Sequence, residues 1–161
     1  MDLFRNLVIL FILMNNLNLF SCPQLSTFYD ILKKADKSFR NQQYNKTIYY
    51  YKQIENCEMF YNTEKYIYQY ALSILKVCYK EKPCLKPLKK AEQLMLKSID
   101  LLKPESFFKR ELSERYFTLG IIYVKLNECN LAKKSFYKSY KLVPNENAKY
   151  NYENLKLICK N

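Results

Sequence analysis

Six cysteines and no histidine set the chemistry open to this chain of 161 residues. Without His, the commonest general base and the commonest metal ligand are missing. The cysteines stand at Cys22, Cys57, Cys78, Cys84, Cys129 and Cys159, and no two follow a C-x2-C spacing. A zinc site is therefore not expected, and no metal or cofactor is. A single Gly cannot build a phosphate-binding loop. No G-x-S-x-G nucleophile elbow occurs. Asp and Glu are interspersed with Lys, which reads as solvated helix faces and not as a catalytic carboxylate pair. No catalytic residue is expected, and the chain is not read as an enzyme. The thiols remain. They form disulfides if the chain reaches an oxidising compartment, or pack as small buried residues if it does not.

The front of the chain reads as an address. Arg5 is followed by eight consecutive apolar residues, Leu7 to Met14, and then by Asn15, Asn16 and Asn18. A membrane-spanning helix needs about 20 apolar residues, so this run matches the core of a signal peptide better than a span. An uncleaved anchor is the alternative. The tetrapeptide Leu19-Phe20-Ser21-Cys22 resembles a bacterial lipobox. That resemblance implies a signal peptide over 1–21, lipidation at Cys22 and a membrane-anchored lipoprotein facing the periplasm or cell surface. Ordinary cleavage near Ser21, with a soluble exported product and Cys22 as a plain thiol, is the competing expectation.

The elements that position the remaining residues are helices. One Gly and five Pro leave little of the punctuation that a strand-rich fold needs. The pattern predicts helices over 28–41, 45–56, 63–79, 88–102, 106–126, 131–143 and 147–160, with Pro104 and Pro144 as stops. Short connections make sequential helices antiparallel neighbours.

From Tyr116 the chain reads Y-x2-L-G-x2-Y through Leu119, Gly120 and Tyr123, then Ala132-x3-Phe136, then Pro144. This resembles the tetratricopeptide repeat, a helical hairpin of about 34 residues with small residues where its two helices touch. Tyr116 stands where the pattern has Trp. An earlier segment with Ala35, Phe39, Tyr44, Thr47 and Tyr51 resembles the same motif, and Ala71, Ala91 and Met95 mark a weaker middle hairpin. The closing stretch from Pro144 to Lys156 also resembles the tail of tetratricopeptide proteins from bacterial aerotolerance operons. The resemblance implies an all-α solenoid of hairpins over 28–159 with a C-terminal capping helix. In such an array Cys129 and Cys159 fall at one end of the stack, and Cys78 and Cys84 flank a turn. Bridges Cys78–Cys84 and Cys129–Cys159 are thus sterically open, as is the alternative of free buried thiols; Cys57 is left single.

The same resemblance implies a protein-interaction scaffold that holds another protein or peptide on its concave face, at the cell envelope. Phe117, Ile121 and Val124 are the candidate binding residues, with packing against a neighbouring helix as the alternative. The net charge of +12 comes almost wholly from Lys. It leaves room for a basic membrane-surface scaffold, carried by Lys86, Lys89, Lys90, Lys97, Lys133, Lys134, Lys138 and Lys141. Nucleic acid is not the expected partner, because Arg5, Arg40, Arg110 and Arg115 are scattered and export argues against it. That reading returns only if the front end is not a signal.

Overall fold

The structure is a computed structural model that describes residues 22–79, 84–102 and 106–159. The expected signal segment, and the turns holding Pro83 and Pro104, lie outside the described residues. Among those residues there are helices and no strands. Helices α1 (Leu25–Arg40) and α2 (Tyr44–Lys52) form a first hairpin, followed by the short α3 (Glu58–Tyr61). A second hairpin pairs α4 (Glu64–Cys78) with α5 (Leu85–Leu102). A 3-10 turn (Ser106–Phe108) leads into α6 (Lys109–Lys125), which pairs with α7 (Cys129–Leu142), and α8 (Glu146–Ile158) closes the chain against α7.

The periodicity explains these helices. In α1 the buried residues Phe28, Ile31, Leu32 and Ala35 recur at helical spacing. Helix α5 starts three residues earlier than 88, because Pro87 is tolerated in a first turn where no backbone donor is needed. Helix α7 ends before Val143, which is extended ahead of Pro144. Asn145 then caps α8, its side chain accepting from the amides of Asn147 at 2.8 Å and Ala148 at 3.2 Å.

The small positions of the repeat are where the helices meet. Ala35, Thr47, Ala71, Ala91 and Ala132 are wholly buried. Opposite them Tyr51, Met95 and Phe136 fill the groove inside each hairpin. The first and third hairpins share a turn geometry. Gln42 and Asn127 both take positive φ, at 56° and 58°. Each is followed by an amide that donates back to a helix carbonyl, Gln43 to Ser38 and Glu128 to Tyr123. This is the left-handed helix ending usually assigned to Gly or Asn. Phe39 and Tyr44, expected inside the first hairpin, are only half-buried. They meet edge to face, 6.1 Å apart, beside that turn.

The helix expected over 45–56 stops at Lys52, and α3 was not expected. Its Phe60 is wholly buried against Tyr51 and Tyr70, with ring centroids at 5.4 and 6.1 Å. These aromatic rings cluster where the first hairpin meets the second, and the added α3 lengthens the repeat spacing there.

Cys78 and Cys84 pair, with Cα atoms 5.6 Å apart, as do Cys129 and Cys159 at 5.9 Å. Cys22 pairs with Cys57 at 5.3 Å. That third bridge departs from the expectation of lipid on Cys22 and of a single Cys57. One sulfur cannot hold both a disulfide and a thioether-linked lipid.

Candidate interaction surface

The first helices of the hairpins, α1, α4 and α6, touch one another in a row. In stacked hairpins such a row lines the concave side. Two polar clusters join its members. Between α1 and α4, Asp36 accepts from Gln69 Nε2 at 2.9 Å and pairs with Lys65 at 3.0 Å and Arg40 at 2.9 Å. Gln69 in turn accepts from the Tyr51 hydroxyl, which ties α2 into the cluster. Between α4 and α6, Arg115 Nε donates to Glu64 at 2.7 Å, and the Ser98 hydroxyl of α5 donates to the same oxygen at 2.6 Å. The Arg115 guanidinium lies 3.4 Å from the centre of the Tyr68 ring. Among the described residues every buried side-chain nitrogen and oxygen has a hydrogen-bond partner, as a low-dielectric interior demands.

The electrostatics follow from burial and charge. Burial alone would raise the Asp36 carboxyl, but the hydrogen bond from Gln69 and the charges of Lys65 and Arg40 outweigh it and hold its pKa below the usual range. Burial, aided by the Asp36 charge, pushes the Tyr51 phenol up. Burial and the bond to Glu55 do the same for Tyr70, whose hydroxyl donates to Glu55 at 2.6 Å. Tyr123 is pushed up to about 12, first by burial and then by the Glu92 carboxylate. These phenols are held as hydrogen-bond donors and offer no phenolate nucleophile near neutral pH.

The three candidate binding residues do not share one environment. Phe117 and Ile121 are half-buried and pack against the core, Phe117 edge to face with Phe136 at 5.4 Å. Val124 is open, with 45% of its surface exposed. On α4, half-buried Tyr68 and Leu72 occupy the matching helical spacing. Further along this seam Lys125 of α6 lies over the exposed ring of Tyr79, 4.1 Å from its centre. A cleft of about 210 Å3 opens beside Tyr68, Phe117, Thr118 and Asn145. Sequence reasoning passed over Asp36, Glu64, Gln69 and Arg115. No local motif marks them; their meaning comes from helices distant in the chain.

The lysines grouped as a membrane-facing set are not equivalent. Lys89 bridges Glu92 at 3.1 Å and Glu128 at 2.8 Å, and Lys90 pairs with Glu55. Lys138 and Lys141 lie over the rings of Tyr116 and Tyr137. Among the described residues no helix is long and apolar enough to cross a membrane. No group of His, Cys, Asp and Glu there could hold a metal ion.

No protein-family model matches the sequence, and no curated protein is significantly similar to it. Among solved structures the chain is similar to the Arabidopsis OM64 TPR domain, with a TM-score of 0.62 and 19% identity. The likeness covers 84% of this chain and 98% of that one. Identity that low speaks for fold alone: the chain is an all-α, tetratricopeptide-like solenoid.

Proposed function

We propose that this protein is a non-enzymatic scaffold that holds another protein or a peptide on the face lined by α1, α4 and α6. The observation that carries this reading is the row itself. Polar clusters fix the three helices side by side, while Tyr68, Leu72, Ile121 and Val124 leave apolar surface partly open along them. A fixed row offers a partner a surface whose ordering cost is already met. The test is photo-crosslinking from a benzophenone side chain at position 124, with Lys134 on α7 as a second, exposed position. A defined adduct from 124 alone supports the concave face; adducts from both positions, or from neither, reject it.

The setting we propose is an exported one, at the cell envelope, with 1–21 acting as signal peptide. Three cysteine pairs within bridging distance support it, because disulfides persist in oxidising compartments. In this reading Cys22 serves a disulfide to Cys57 and not a lipid anchor. Intact mass of the native protein decides. A mass for 22–161 with all six cysteines oxidised supports the proposal. Added acyl mass would move Cys22 to an anchor and leave Cys57 as a thiol. A reduced, full-length mass would reject export.

A further inference from the structure

Two adjoining clefts share Asn45 and Val77 and reach the α4–α6 seam at Tyr79. One, of about 570 Å3, sits at the turn between α1 and α2 and is bordered by Tyr44, Lys46, Lys76 and Tyr79. The other, of about 520 Å3, runs between α2 and α5 over α4. Ile48, Val77, Pro87 and the Cys78–Cys84 bridge line it, with Lys52, Lys86 and Lys90 along its edges.

The charge around this continuous groove is one-sided. Lys46, Lys52, Lys76 and Lys86 are exposed and have no carboxylate within ion-pair distance among the described residues. Lys90 alone is paired, with Glu55. Helix α2 begins here with no side chain capping its first amides, which adds the positive end of a helix. At the base of the groove Tyr70 is closed to water and Ile74 nearly so, at 0% and 5% exposure.

We propose that this groove is a second docking site, for an extended acidic peptide segment of a partner protein. Apolar side chains of the segment sit over Ile48 and Val77, and its carboxylates meet Lys46, Lys52, Lys76 and Lys86. The site meets the α4–α6 seam at Tyr79 but uses other residues than Val124, so the two readings are tested independently. The Cys78–Cys84 bridge holds one wall by joining the end of α4 to the start of α5.

The experiment is fluorescence anisotropy with a short labelled peptide of alternating Glu and Leu, on the oxidised full chain. Saturable binding is expected, weakened by salt and by about tenfold in Lys52→Glu with Lys86→Glu. The charge-matched pair Lys134→Glu with Lys149→Glu, and Val124→Asp on the concave face, should leave it unchanged. Circular dichroism confirms that each variant is folded. Equal weakening by both lysine pairs would mean a general attraction to a basic protein and overturn the site. So would equal binding of a peptide with Ser in place of Leu. An oligonucleotide, or vesicles of phosphatidylglycerol, binding more tightly and losing that binding with the groove pair would replace the peptide by another class of anion and overturn the proposal as stated.

Discussion

A β-carbon built on Gly120 would lie 2.7 Å from Cε1 of Phe136. The Phe136 ring is itself 1% exposed and packed against Phe117, so it cannot swing away. The one Gly of the chain is therefore needed for close approach of α6 and α7, and not for backbone freedom. Gly120→Ala gains about 1 kcal/mol of helix propensity but forces overpacking that costs about 1–3 kcal/mol. A net loss of stability is expected in urea unfolding. In a Phe136→Leu background the same change should cost less, since the crowding atoms are gone. A stabilising Gly120→Ala would refute the contact.

Arg115 and Glu64 bind the second hairpin to the third. Arg115 is 6% exposed, so loss of Glu64 leaves its guanidinium poorly solvated, with the longer pair to Glu114 at 3.6 Å as partial compensation. Glu64→Gln should cost about 2–4 kcal/mol, and Arg115→Met less, because an apolar side chain can still cover Tyr68. Both together should cost less than the sum. Additive losses in a double-mutant cycle would show that the pair does not couple.

Asp36 gives the fold an acid sensitivity. Its pKa is lowered in the folded state, so the unfolded chain takes up its proton first as pH falls. The stabilisation is present above the unfolded value and is lost as pH drops through the folded one. The stability gap between the wild type and Asp36→Asn should be full at neutral pH and should shrink below about pH 4. A gap that stays constant to pH 2 would contradict the assignment.

Cys129 and Cys159 close a segment with a sequence separation of 30 and tie the end of α8 to the start of α7. Cys159→Ser should cost about 2–4 kcal/mol. Amide exchange should rise first in α8, whose one fully buried residue is Ala148. Unchanged exchange in α8 would mean that its packing on α7 suffices.

At Gln42 a non-Gly residue holds a left-handed conformation on an exposed turn. Gln42→Gly should raise stability by about 0.5–1 kcal/mol by removing that strain. A thermal melt lower than that of the wild type would show that the side chain makes a contact worth more than the strain.

The hairpins could be read from residue order because their signal is local. Ala132 and Phe136 lie one helical turn apart, and Tyr116, Leu119, Gly120 and Tyr123 repeat at the helical period, so adjacent residues carry the pattern. Two cysteine pairings were open to the same logic, since antiparallel neighbours bring known ends together. Phe39 of α1 and Tyr44 of α2 do meet across the first hairpin, but at its turn end, where they stay half-buried; residue type alone does not give that depth.

Legible from residue order alone are the helical content, the small-to-large packing of each hairpin, and the lack of His. Those properties follow from residue type and short-range spacing. Folding alone brings Phe60 of α3 against Tyr51 and Tyr70, which also touch each other. It alone set Cys22 against Cys57, and placed Asp36 beside Gln69 and Arg115 over Tyr68. Each of those contacts joins residues far apart in the chain, and their energy comes from burial and charge pairing that exist only once the helices are stacked.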